Sequence, residues 1–125
     1  MRKAKGTLTE QELEIMKVVW RLGTPTVRDV YEDMRGSRSV AYTTVMTMMN
    51  ILEQKGYLKK NSGDRAFVYS PAQPERQVIR NMVREFVDRV FNGAAEPLLL
   101  HLVEDEKLTA KEIEEIRRAA KGGKK

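Results

Sequence analysis

The stretch from Ser39 to Pro71, SVAYTTVMTMMNILEQKGYLKKNSGDRAFVYSP, constrains the fold more than any other part of the chain. Within it, Val45, Met48, Met49 and Leu52 recur at the i, i+3, i+4, i+7 spacing of one buried helical stripe. At about 100° per residue, Thr43, Met46, Thr47, Asn50 and Gln54 fall on the opposite face, with Thr44 at its flank. Gly56 stops the helix. Two short runs of β-formers follow, YLKK and AFVYS, joined by the turn-formers of NSGDR, where Gly63 can take a positive φ. The pattern predicts a helix over about 41–55 and a hairpin over 57–70.

The outer face of that helix is unusual. A solvated helix face normally carries Glu and Lys, whereas this one carries short hydroxyls and an amide. Such side chains can approach a phosphate backbone or a base edge without repelling it. A merely neutral solvated face is the plainer reading, and the neighbouring segments decide between the two. Upstream, Thr9 and Glu12 are spaced as a capping box, with Leu8 as a hydrophobic staple. Leu13, Met16 and Trp20 mark a core stripe widened by Ile15 and Val19, and Gly23 ends this first helix. Thr26 caps a second helix, with Asp29 at its positive end and Val27, Val30, Tyr31 and Met34 in register; Gly36 closes it. A helix of roughly nine residues is marginal alone and must be held by packing. Three helices and a basic hairpin predict a winged helix-turn-helix. Its candidate DNA contacts are Tyr42, Thr43, Thr44, Thr47 and Asn50 on the third helix, and Lys59, Lys60 and Arg65 on the wing. Lysines on a hairpin edge also block aggregation, which is the competing role for Lys59 and Lys60. Arg2, Lys3 and Lys5 form a basic arm suited to phosphates or simply to solubility.

Pro71 and Pro74 end the sheet and divide the chain into 1–73, the DNA-binding domain, and 74–125, a helical region. From Glu75 to Asn92 one amphipathic helix is expected, with Arg76, Arg80, Arg84 and Arg89 outside its apolar stripe, and Asn92-Gly93 stopping it. AAEPLLLHLVEDE reads as a short apolar helix with Pro97 in its first turn. Thr109 and Glu112 open a last helix running through Ile113 and Ile116 to about Ala120. Three helices in so short a region cannot bury all their large apolar side chains on one another. A two-fold homodimer resolves this, with an interface of Ile79, Met82, Phe86, Val90, Phe91, Leu98, Leu99 and Leu102. The expected fold class is thus mainly α with a small β-hairpin: a winged helix-turn-helix domain followed by a helical dimerisation region.

Charge supports this division. The first 70 residues hold 12 Lys and Arg against 8 Asp and Glu, a net of +4. The remainder holds 11 against 10, so the positive excess lies with the half expected to bind DNA. The 125 residues contain no Cys, which excludes disulfides, thiolate metal sites and cysteine nucleophiles, and fits a reducing cytoplasm. No apolar run approaches the ~18 residues of a membrane span. No GxxxxGK[ST], GxGxxG after a strand, GxSxG or HExxH occurs, so no enzyme, cofactor or metal site is expected. His101, the single histidine, reads as a surface or interface residue without acidic neighbours at ligand spacing.

LTEQELEIMKVVW, TVRDVYEDM, AYTTVMTMMNILEQKGYL, RAFVYSP and FNGAAEPLLLHLVEDEKLTAKEIEEI together resemble the BlaI/MecI/CopY family of penicillinase-type transcriptional repressors, from about Leu8 to Ala120. The resemblance implies a homodimer that binds palindromic operator DNA, with the family's threonine-bearing recognition helix at Thr43, Thr44 and Thr47 and its wing from Lys59 to Tyr69. Copper-responsive members carry a cysteine cluster, and this chain has none. In penicillinase repressors a sensor's signal leads to cleavage of an Asn–Phe bond; the corresponding bond here is His101-Leu102, where neither residue matches. A protease or sensor that releases repression is therefore an expectation from resemblance alone. The alternative from another class is a winged-helix protein-interaction module that never touches DNA, for which an acidic or neutral surface over the third helix is expected.

Overall fold

The structure is a computed structural model and describes residues 7–122. It contains α1 (Glu10–Leu22), α2 (Val27–Arg35), α3 (Tyr42–Lys55), β1 (Leu58–Ser62), β2 (Phe67–Pro71), α4 (Glu75–Phe91), α5 (Ala95–Asp105) and α6 (Ala110–Gly122). The basic arm of Arg2, Lys3 and Lys5 lies outside the described residues. The chain divides into two compact units between Arg80 and Asn81, within α4.

In the first unit the helix starts are set by short polar side chains. Thr9 Oγ1 accepts from the Glu12 amide at 3.1 Å and the Glu12 carboxylate accepts from the Thr9 amide at 2.9 Å. Thr26 and Asp29 repeat the arrangement on α2 at 3.1 and 3.0 Å. Together each pair satisfies two of the amides that a helix start leaves open. Gly23 and Gly56 end α1 and α3 with φ of 95° and 92°, where a side chain would be strained.

The apolar stripes meet in one core: Ile15, Met16, Val18 and Val19 from α1, Val30 and Met34 from α2, Val45, Met49 and Leu52 from α3, and Tyr57, Leu58 and Tyr69 around the hairpin are all buried. Leu13 and Met48, expected in that core, are only half-buried at its edge. Trp20 is also half-buried; its indole N–H donates to the Gln73 carbonyl at 3.1 Å, so it anchors the segment after the hairpin as well as packing. Polar ties lock the helices together. Lys55 Nζ lies 2.8 Å from the buried Glu12 carboxylate, joining the end of α3 to the start of α1. Arg38 meets Glu14 at 2.6 Å. Arg21 donates to Asp33 at 2.7 Å and thereby holds that carboxyl below its ordinary value of 3.8.

The strands pair antiparallel, with Leu58 opposite Pro71, Lys60 opposite Tyr69 and Ser62 opposite Phe67. The hairpin is fixed to the helices by the Tyr69 amide, which donates to the Pro25 carbonyl at 2.8 Å, just before α2. Gly63 departs from expectation: it does not take a positive φ. Glycine is needed there for space instead, because a Cβ would collide with the Ala66 carbonyl oxygen, which accepts from the Gly63 amide.

In the second unit Asn92 and Gly93 end α4 in the left-handed region, with φ of 53° and 85°. Thr109 and Glu112 cap α6 reciprocally, at 2.9 and 3.1 Å. Phe91 packs edge-on against Phe86 and tilts over His101, with ring centroids 5.8 and 6.0 Å apart. Among the described residues no helix is long and apolar enough to cross a membrane.

Candidate nucleic-acid interface

The outer face of α3 stands clear of the core. Thr43, Thr44, Met46 and Thr47 are exposed, as is Tyr42 at the first turn. The helix begins at Ala41 with no side-chain cap and no acidic residue in its first turn, in contrast to α1 and α2. Its open amides therefore present the positive end of the helix dipole without an internal counter-charge.

Asn50 sits differently from the threonines. It is half-buried, and its Oδ1 accepts from the Tyr69 hydroxyl at 3.0 Å, which couples α3 to β2. Its amide nitrogen remains a donor, but the carbonyl end already has a partner. Lys59, Lys60 and Arg65 are exposed on the hairpin, and no carboxylate of the described residues forms an ion pair with them. By contrast Arg21, Arg28, Arg35 and Arg38 on and around the helices each face Asp or Glu. The wing thus carries positive charge beside α3 that no ion pair among the described residues offsets.

Between the helices and the hairpin lies a groove of about 950 Å³. It brings together four residues singled out from sequence, Tyr42, Asn50, Lys60 and Arg65, and adds two that were not, Arg28 and Phe67. Arg28 lies over the Tyr42 ring at 5.5 Å, and Lys60 lies over Phe67 at 4.5 Å. Strand alternation puts Phe67 on the same side as Tyr69, a usable signal for the second pair; the approach of α2 to the first turn of α3 leaves no mark in local periodicity.

The dimerisation candidates fall in two groups. Phe86, Val90, Leu99 and Leu102 are exposed, whereas Ile79, Met82, Phe91 and Leu98 are half-buried within the chain. His101 differs from expectation, since it does have an acidic neighbour: Asp105, one helical turn on, has Oδ2 2.9 Å from its Nδ1. Both are exposed, and no group of three or more potential metal ligands occurs among the described residues.

Three helices followed by a two-stranded hairpin, with the third helix and the hairpin flanking one open face, define a winged helix-turn-helix protein. The chain belongs to the penicillinase repressor family, whose profile matches residues 8–121. It is 29% identical over 109 residues to the penicillinase repressor of Bacillus licheniformis, covering 87% of this chain and 85% of the relative. It is 32% identical over 114 residues to the transcriptional regulator BlaI of Mycobacterium tuberculosis, covering 90% and 81%. Among solved structures it resembles the DNA-binding domain of the repressor BlaI, with a TM-score of 0.53 and 31% identity over 60% of this chain and 90% of that one. The Bacillus licheniformis BlaI monomer in complex with the blaP half-operator matches over the same shares, at a TM-score of 0.51 and 31% identity.

Proposed function

We propose that the chain is a homodimeric transcriptional repressor that acts in the cytoplasm by binding a palindromic operator. Each protomer lays the segment from Tyr42 to Asn50 in a major groove while the hairpin holds the neighbouring backbone, and occupancy of promoter DNA excludes polymerase. The observation that carries this reading is the pairing of an uncharged, threonine-bearing α3 face with wing cations that form no ion pair among the described residues. The relatives support it, one of them having been solved on a half-operator. An interaction module would suit an acidic or neutral surface here, which the wing cations oppose.

Dimerisation is assigned to 74–125, whose exposed Phe86, Val90, Leu99 and Leu102 are apolar surface that a second copy would cover. Two copies supply two recognition helices about one helical turn of DNA, or a multiple, apart. A protease acting at His101-Leu102 must first unwind α5, because that bond lies in the middle of a hydrogen-bonded helix.

Binding to the chain's own upstream DNA tests the reading. Arg65→Ala is expected to weaken operator and unrelated duplex equally and to reduce the salt slope by about 1. Thr47→Ala is expected to cost about 1 kcal/mol more on operator than on unrelated duplex. Equal losses on both duplexes would move Thr47 from base reading to backbone positioning.

A further inference from the structure

The groove beside α3 has a cation braced on an aromatic ring at each side. On the helical side the Arg28 guanidinium lies 5.5 Å from the Tyr42 centroid. On the hairpin side Lys60 Nζ lies 4.5 Å from the Phe67 centroid and 5.9 Å from that of Tyr69. All three distances are within the roughly 6 Å range of cation–π attraction. Bracing of this kind holds a long side chain near its working position, so less rotamer freedom is lost when it meets an anion. Arg28 is only loosely engaged by Glu32, at 3.4 Å, and most of its donors stay open. Phe67 is 53% exposed, more than any other aromatic ring of the first unit among its exposed large hydrophobics.

We propose that this groove seats one deoxyribose–phosphate strand of the duplex, gripped by Arg28 from α2 and by Lys60 from the hairpin, with the Phe67 ring against a deoxyribose. The proposal rests on the operator-binding reading and deepens it. Two observations select a backbone strand as the occupant. The groove lining carries three cations, Arg28, Lys60 and Arg65, against the single carboxylate of Asp64, so its charge complements a polyanion. Its lining includes Tyr42, Met46 and Asn50 of α3, so an α3 lying in a major groove brings the bordering strand against it. Backbone phosphates carry no sequence information, and the grip therefore adds affinity and register in equal measure on any duplex.

The test uses the full chain, a duplex of its own upstream DNA and a scrambled duplex of equal length, each titrated with salt. Arg28→Gln and Lys60→Gln are each expected to lower the salt slope by about 1 on both duplexes. Phe67→Leu keeps every charge; it is expected to weaken binding roughly two- to fivefold on both, with the slope unchanged. Thermal melting of each variant shows whether the fold is retained, and Arg28→Lys, which keeps the charge, should restore the slope. Unchanged slopes in folded Arg28→Gln and Lys60→Gln overturn the proposal, as does a loss confined to the upstream duplex. Retained duplex binding with loss of polyglutamate binding also overturns it, in favour of an acidic protein segment. Should the unaltered chain ignore both duplexes, the operator-binding reading itself falls; should it bind while the variants behave like it, only the strand seat falls.

Discussion

The two units of the chain spend their apolar residues in opposite ways. In the first, residues from three helices and the hairpin converge until Met16, Val19, Val30, Val45, Met49 and Leu52 are essentially sealed from water. In the second, α5 contributes no fully buried residue, and Leu99 and Leu100 are 50% and 56% exposed. Yet α5 is the most apolar of the helices, with LLLHLV at its centre. A soluble domain rarely leaves such a patch open. The contrast teaches that the winged unit closes its core on its own residues, whereas the helical unit leaves large apolar side chains exposed. The homodimer proposed above would cover them, since an isologous contact covers the same patch twice.

The sharpest way to break this contrast is to charge the open surface. Phe86→Asp is expected to weaken self-association by about 4 kcal/mol, roughly a thousandfold in Kd, by placing a carboxylate among apolar side chains. The winged unit should melt as before. Sedimentation of a Phe86→Asp chain as a stable dimer would remove Phe86 from the interface. The converse substitution is Met49→Ala, which empties a fully buried position in α3. It should destabilise the winged unit by about 3 kcal/mol, read by denaturant unfolding, with self-association intact. Melting also separates the units by mass action: the transition of the helical unit should rise with protein concentration and that of the winged unit should not.

Much of the winged unit is legible in the sequence because its signals are local. Thr9 with Glu12 and Thr26 with Asp29 sit at the spacing a capping box demands, and each forms one. The α3 stripe of Val45, Met49 and Leu52 follows from helical periodicity, as does the exposure of Thr43 and Thr47. What the pattern misses is set by approach between elements distant in sequence. Arg28 reaches Tyr42 only because α2 crosses the first turn of α3, and Asn50 is held by Tyr69 only because β2 folds back over it. Turn chemistry suggests a left-handed backbone at Gly63, whereas the hairpin closes by bringing the Ala66 carbonyl close. The contact of His101 with Asp105 is legible from the helical i, i+4 rule.

The smallest expected effect concerns Glu12, the one buried charged residue among the described residues. Burial pushes the Glu12 carboxyl up, but the hydrogen bonds from Lys55 and Thr9 together outweigh it and hold the group below its ordinary value of 4.5. A carboxyl that is more acidic in the folded chain than in the unfolded chain stabilises the fold fully above the unfolded value, and this contribution is lost as pH falls through the folded one. Glu12→Gln should therefore cost about 1 kcal/mol near neutral pH, since a neutral amide can still meet Thr9 but forms no ion pair with Lys55. The gap between the two proteins should narrow as pH drops below 4.5, because the unfolded carboxylate then takes up protons before the folded one does. Unfolding measured across this range separates charge from geometry: a gap that stays constant into acid assigns the loss to the shape of the cap, and a gap that closes assigns it to the tie between α1 and the end of α3.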